Sequence, residues 1–83
     1  MATHTNEPLR LNQAATGQRL RLAAIDGDHQ LIRKLLGMGL RAGSLLTVTQ
    51  RRGPAVVIAC QGARIALGPG LAERIQVALE GDA

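Results

Sequence analysis

Asp26-Gly27-Asp28-His29 is the one place in this 83-residue chain where carboxylates and an imidazole stand together. Two carboxylates and a ring nitrogen at one turn can catch a divalent ion at a surface. Asp28 and His29 are therefore the candidate ligands, but they fall short of a dedicated site. Structural zinc centres use close pairs of Cys and His, and this chain has one Cys and two His. Completing four ligands would need solvent or a second molecule. Asp28 also has a competing structural role. An aspartate at that position suits a helix N-cap, its carboxylate accepting orphan N–H groups of the first turn. The sequence thus points to no cofactor and no dedicated metal site, with Asp28 and His29 as incidental surface ligands.

Nucleophilic chemistry fares no better. Ser44, a Thr or Cys60 would need a histidine beside it; His4 lies in the opening segment, which leaves His29. Cys60 falls in the most apolar stretch, where cysteine behaves as a small hydrophobe. Carboxylates are few and scattered, and Glu73 has no acid–base partner in its neighbourhood. Ten glycines suggest phosphate loops, yet no Gly-x-x-x-x-Gly-Lys-Ser/Thr pattern exists. The glycines read as turns, and the chain reads as a non-enzyme.

The elements around these residues follow from periodicity. From Gln18, Leu20, Leu22 and Ala24 alternate with Arg19, Arg21 and Ala23, the mark of a strand with one buried face. Asn12 to Gly17 before it is polar and turn-like. After Asp28, Leu31, Ile32, Leu35 and Leu36 recur at helical spacing over about ten residues, and Gly37 and Gly39 close that helix. Ser44 to Arg52 alternates Leu46 and Val48 against Thr47 and Thr49. Arg52-Gly53-Pro54 turns the chain, and Ala55 to Cys60 is apolar on both faces. Gln61-Gly62 fits a two-residue hairpin turn. Ile65 and Leu67 form a fourth strand, Leu71-Ala72-Glu73 a single helical turn, and Ile75, Val77 and Leu79 a fifth strand. Five short strands in so small a chain bury their faces most economically by curling into a small β-barrel, with one helix inserted after the first strand. Pattern leaves SH3-like and OB-like barrels open.

Composition bounds the rest. One domain fits this length, with 46% hydrophobic residues and no aromatic ones. Single-stranded nucleic acid is usually held by stacking on aromatic rings, so that partner is not expected here despite a net charge of +4. A small basic nucleic-acid-binding barrel stays as the alternative. Met1 to Pro8 has no basic start and no apolar run, and is expected to be a flexible lead-in rather than a secretory signal. Glu80 to Ala83 is expected to be a tail. The lone Cys60 fits a reducing compartment, and no segment reaches the ~18 apolar residues of a membrane span. A cytoplasmic location is expected. Arg19, Arg21, Arg51, Arg52, Arg64 and Arg74 fall on outward positions or turns. The double-faced apolar strand presents Val57 and Ala59 outward, to be covered by the helix, a second copy or a partner.

The segment Leu35-Leu36-Gly37-Met38-Gly39-Leu40-Arg41-Ala42-Gly43 resembles the signature of the ferrous-iron transport protein A (FeoA) family. Leu11 and Gly17 fit the opening of that family. Gly53-Pro54, Gly62, Ile65-Ala66-Leu67 and Ala72-x-x-Ile75-x-Val77 fall where it has them, so the likeness runs from Leu9 to Leu79. Ala42 departs from it, standing where the family usually has proline. The resemblance implies an SH3-like barrel over residues 9–79. It implies a non-catalytic accessory role in ferrous-iron uptake, through docking on the cytoplasmic part of the FeoB-type GTPase transporter, with the membrane reached only through that partner. The same domain also ends metal-dependent repressors of the diphtheria-toxin-repressor type, which leaves a stand-alone relative of that domain as a further alternative. On the docking reading, partner contact falls to Met38, Gly39, Leu40, Arg41, Gly43, Arg51, Arg52 and Val57, and homo-oligomers stay open.

Overall fold

The computed structural model describes residues 9–80. The lead-in expected over Met1 to Pro8, with His4 in it, and the last three tail residues lie outside them. The chain forms β1 (Leu9–Arg10), a 3-10 turn (Leu11–Gln13), β2 (Arg19–Ile25), α1 (His29–Gly37), β3 (Leu45–Arg52), β4 (Ala55–Cys60), β5 (Ala63–Leu67), α2 (Pro69–Ala72) and β6 (Ile75–Leu79). All pairings are antiparallel, in the order β1-β6-β2-β3-β4-β5. The five expected strands and the inserted helix are all present. The sixth strand, β1, is two residues long and pairs Leu9 with Val77, too short to leave a period in the sequence. The terminal strands β1 and β5 do not pair with each other, so the barrel stays open along one seam.

One core fills the curled sheet. Leu20 and Leu22, Leu46 and Val48, Val56 and Ile58, Leu67, and Ile75 and Val77 point inward from five strands. Leu11, Leu35, Leu40 and Ala72 close it from the connections. Aliphatic side chains make up all of this core but Cys60, the larger ones each worth about 1.5–3 kcal/mol when fully buried.

Two bulges break the expected alternation. β2 shifts register against β6 between Leu22 and Ala24. An extra residue there turns the strand over, so Ala24 faces solvent and Ile25 takes the inward side. The reading that placed Ala24 inward is corrected by that bulge. β3 shifts against β4 between Val48 and Gln50, and the Thr49 hydroxyl donates to the Val57 carbonyl at 3.2 Å. Leu79, expected inward, is 57% exposed at the last position of β6, although it pairs with the buried Leu20.

Arginines tie the loops to this frame. Arg10 reaches the Asp26 carboxylate at 3.3 Å and the Glu73 carbonyl at 2.8 Å. Arg21 makes a two-pronged pair with Glu80, at 3.1 and 3.3 Å. The Glu80 N–H also donates to the Arg19 carbonyl at 2.9 Å, so Glu80 belongs to the fold rather than to a tail.

Candidate docking surface

Asp28 is the N-cap of α1, its carboxylate accepting from the Leu31 N–H at 3.0 Å. His29 follows as the first helical residue and is exposed. The Asp26 carboxylate is engaged by Arg10 and by the Gln76 amide. Among the described residues no group of three or more His, Cys, Asp or Glu is placed to hold a metal ion. Cys60 points into the core from the end of β4, paired with Ala63 across the hairpin.

The other end of α1 is built with more care. Gly39 takes φ +91°, the left-handed conformation that lets a helix stop. Its N–H donates to the Leu36 carbonyl, and the Leu40 N–H to the Leu35 carbonyl, both at 2.9 Å. These two bonds make a Schellman motif, with Leu40 and Leu35 as its buried apolar pair. Gly39, rather than Gly37, is thus the glycine that closes the helix; Gly37 is its last helical residue.

A second turn follows at once. The Ser44 N–H donates to the Arg41 carbonyl at 3.0 Å, and Gly43 has φ +95°. That is a type II turn with Ala42 and Gly43 in the middle. It is sewn to β2 by paired bonds of 2.8 Å between Gly43 N–H and Leu22 carbonyl and between Leu22 N–H and Ser44 carbonyl. Arg21 adds a bond of 3.2 Å to the Gly43 carbonyl. The buried Ser44 hydroxyl accepts from the Arg41 N–H and donates to the Gly39 carbonyl.

Around this rigid loop the surface is apolar. Leu36 is 51% exposed, Leu45 49%, Ile32 38% and Met38 37%. Ile25, Ile32, Leu36, Leu40, Arg41 and Ala42 line a cleft of about 230 Å³. Gln61, at the β4–β5 hairpin tip, lines a neighbouring depression with Leu36, Gly39 and Arg41. The tip is a type I′ turn, with φ of 53° at Gln61 and 81° at Gly62.

Of the residues read as partner contacts, Met38, Gly39, Arg41 and Gly43 meet at this end. Leu40 is fully buried and serves as floor, so its part is corrected from contact to support. Arg52 stands at the far end of β3 from Leu45, about 22–24 Å away at strand rise. Val57 is half-buried on the outer face of β4, opposite Gln50 and Ala66. Arg51 is corrected too: its guanidinium donates to the carbonyls of Asn12 and Ala14 and holds the 3-10 turn against the sheet. Sequence reasoning passed over Ile25, Ile32, Leu36 and Gln61. The apolar face of α1 carries two parallel pairs, Leu31 with Leu35 and Ile32 with Leu36, and only the first turns toward the core.

Residues 9–79 match the FeoA domain. A Methanocaldococcus jannaschii chain provisionally named Fe(2+) transport protein A is 34% identical over 64 residues, 77% of this chain and 78% of the relative. The crystal structure of an iron uptake regulatory protein (FeoA) superposes with a TM-score of 0.80 at 30% identity, covering 87% of this chain and 97% of that one. The FeoA protein of Chlorobium tepidum gives 0.77 at 25% identity, over 90% and 74%. A manganese-dependent transcriptional repressor gives 0.82 at 26% identity over 93% of this chain, which spans 44% of the repressor. The SH3-like barrel that patterning left undecided is thereby established. With its signature glycines placed as helix stop and turn, and its match running from β1 to β6, the chain belongs to the FeoA family.

Proposed function

We propose that this chain is a non-catalytic accessory protein of ferrous-iron uptake, working in the cytoplasm by docking on the cytoplasmic part of a FeoB-type GTPase transporter. The observation that carries this reading is the apolar end of the molecule. Four large hydrophobic side chains, Ile32, Leu36, Met38 and Leu45, stand exposed around the loop that carries the family signature. Single exposed hydrophobes are ordinary, but a cluster at one end marks a contact surface. The loop itself is braced by six hydrogen bonds from Gly39, Leu40, Arg41, Gly43, Ser44 and Leu22 N–H groups, the bracing that a preformed docking surface needs. Iron is cargo of the partner on this reading, and the GTP chemistry is the partner's.

Deleting the gene tests it. Ferrous-iron uptake under anaerobic conditions should fall while ferric uptake is unchanged, and reintroducing the gene should restore it. Ferrous uptake that is the same with and without the gene sinks the proposal.

A further inference from the structure

The cleft beside α1 has a sharper chemical character than a general apolar surface. Its floor and walls are Ile25, Ile32, Leu36, Leu40 and Ala42, and the one charged residue lining it is Arg41. Arg33 stands three residues before Leu36 on α1, a spacing that makes the two side chains neighbours on the helix surface. Neither Arg33 nor Arg41 takes part in the two ion pairs found among the described residues, Arg10–Asp26 and Arg21–Glu80. No acidic residue lines the cleft. Ile32 and Leu36 are spaced i, i+4, which forms a ridge one helical turn long on the wall.

We infer that this cleft receives an amphipathic helix of the partner whose apolar face is bordered by carboxylates. The ridge and groove match the anchors that a docked helix offers at i, i+3, i+4 and i+7. The two unpaired guanidinium groups at the border supply the charge selection, since exposed cations at a rim steer and discriminate more than they bind. The net charge of +4 on the whole chain works in the same direction. This inference rests on the docking reading for the identity of its partner, and its test separates the two.

The probes are two synthetic peptides of about 18 residues, roughly five helical turns, with the same leucine face and either Glu or Lys at the flanking positions. Methyl-resolved NMR titration of the full chain should show the Glu peptide shifting Ile25, Ile32, Leu36 and Ala42. Binding should weaken as salt shortens the screening length. The Lys peptide should bind at least about tenfold more weakly, and the Arg33→Glu/Arg41→Glu double variant should reverse that preference. Leu36→Glu, at an exposed position, should abolish binding of the Glu peptide without unfolding the chain. Equal binding of both peptides, shifts confined to another face, or no binding would each overturn the inference. So would the same methyls shifting with protein concentration alone, which would make a second copy the occupant. A parallel pull-down with the transporter's cytoplasmic domain distinguishes the readings. Glu-peptide binding in the cleft without capture of that domain leaves the cleft assignment standing and removes the transporter. Capture by wild type and Leu36→Glu alike, with no peptide binding, does the reverse.

Discussion

The Leu40 N–H donates to the Leu35 carbonyl at 2.9 Å, and both side chains are fully buried, so helix end and core are closed by the same pair. That closure depends on Gly39 at φ +91° between them. Any Cβ there adopts a backbone conformation that costs about 1–2 kcal/mol for an L-residue. Space is not the obstacle, since nothing lies within 4 Å of where the Cβ would stand. Gly39→Ala should therefore lower stability by about 1–2 kcal/mol with the core packing kept. Chemical denaturation checks it: an unchanged midpoint would mean that the left-handed closure is dispensable.

Ala42 stands at the first central position of the type II turn, where proline is favoured. Among the described residues its N–H donates no hydrogen bond, so a proline ring removes nothing there. Ala42→Pro should then raise stability by about 0.4–1 kcal/mol, chiefly by restricting the unfolded chain. Gly43→Val, at φ +95°, should cost more than that gain. A lower denaturation midpoint for Ala42→Pro would show the turn to be built differently.

The β4–β5 hairpin places Gln61 at φ 53°, a conformation in which Asn is several-fold enriched. Asn-Gly is the favoured pair for a type I′ turn. Gln61→Asn should raise stability by a few tenths of a kcal/mol to about 1 kcal/mol, measured by thermal unfolding. No gain, or a loss, would mean that the Gln61 side chain makes compensating contacts with the loop beside it.

Much of this was legible because the signals were local. Leu20 and Leu22 alternate with Arg19 and Arg21, and Asp28 followed by an apolar stripe marks a cap; neither needs the rest of the chain to be interpreted. What stayed hidden were properties of pairs far apart in sequence. The bulge that turns Ala24 outward is set by the register of β2 against β6, more than fifty residues later in the chain. Ile32 and Leu36 have the same periodicity as Leu31 and Leu35, and which pair faces the core depends on how α1 lies on the sheet. The role of Arg51 was hidden for the same reason. An outward-pointing arginine near a turn looks like solvent-facing charge until the 3-10 turn of Leu11–Gln13 is seen beside it.

Arg51 and Arg52 are adjacent arginines that sequence treats alike and the fold does not. The Arg51 guanidinium donates to the Asn12 and Ala14 carbonyls, and Leu11 and Ala14 of that segment are buried core residues. Removing the guanidinium unpairs two carbonyls, one of them partly buried, and loosens the closure of the core over β4. A hydrogen bond to a charged group contributes about 1.5–3 kcal/mol when shielded. The Arg51 side chain is largely exposed, so the lower end applies, and Arg51→Ala should cost about 1–2 kcal/mol. Arg52 makes no side-chain hydrogen bond or ion pair among the described residues, and Arg52→Ala should stay within about 0.5 kcal/mol. Denaturation midpoints of the two variants, with amide exchange at Leu11 to Ala14, give the comparison. Faster exchange in that segment for Arg51→Ala alone assigns Arg51 to the fold. Equal midpoints and equal exchange would return Arg51 to the surface charge available for a partner.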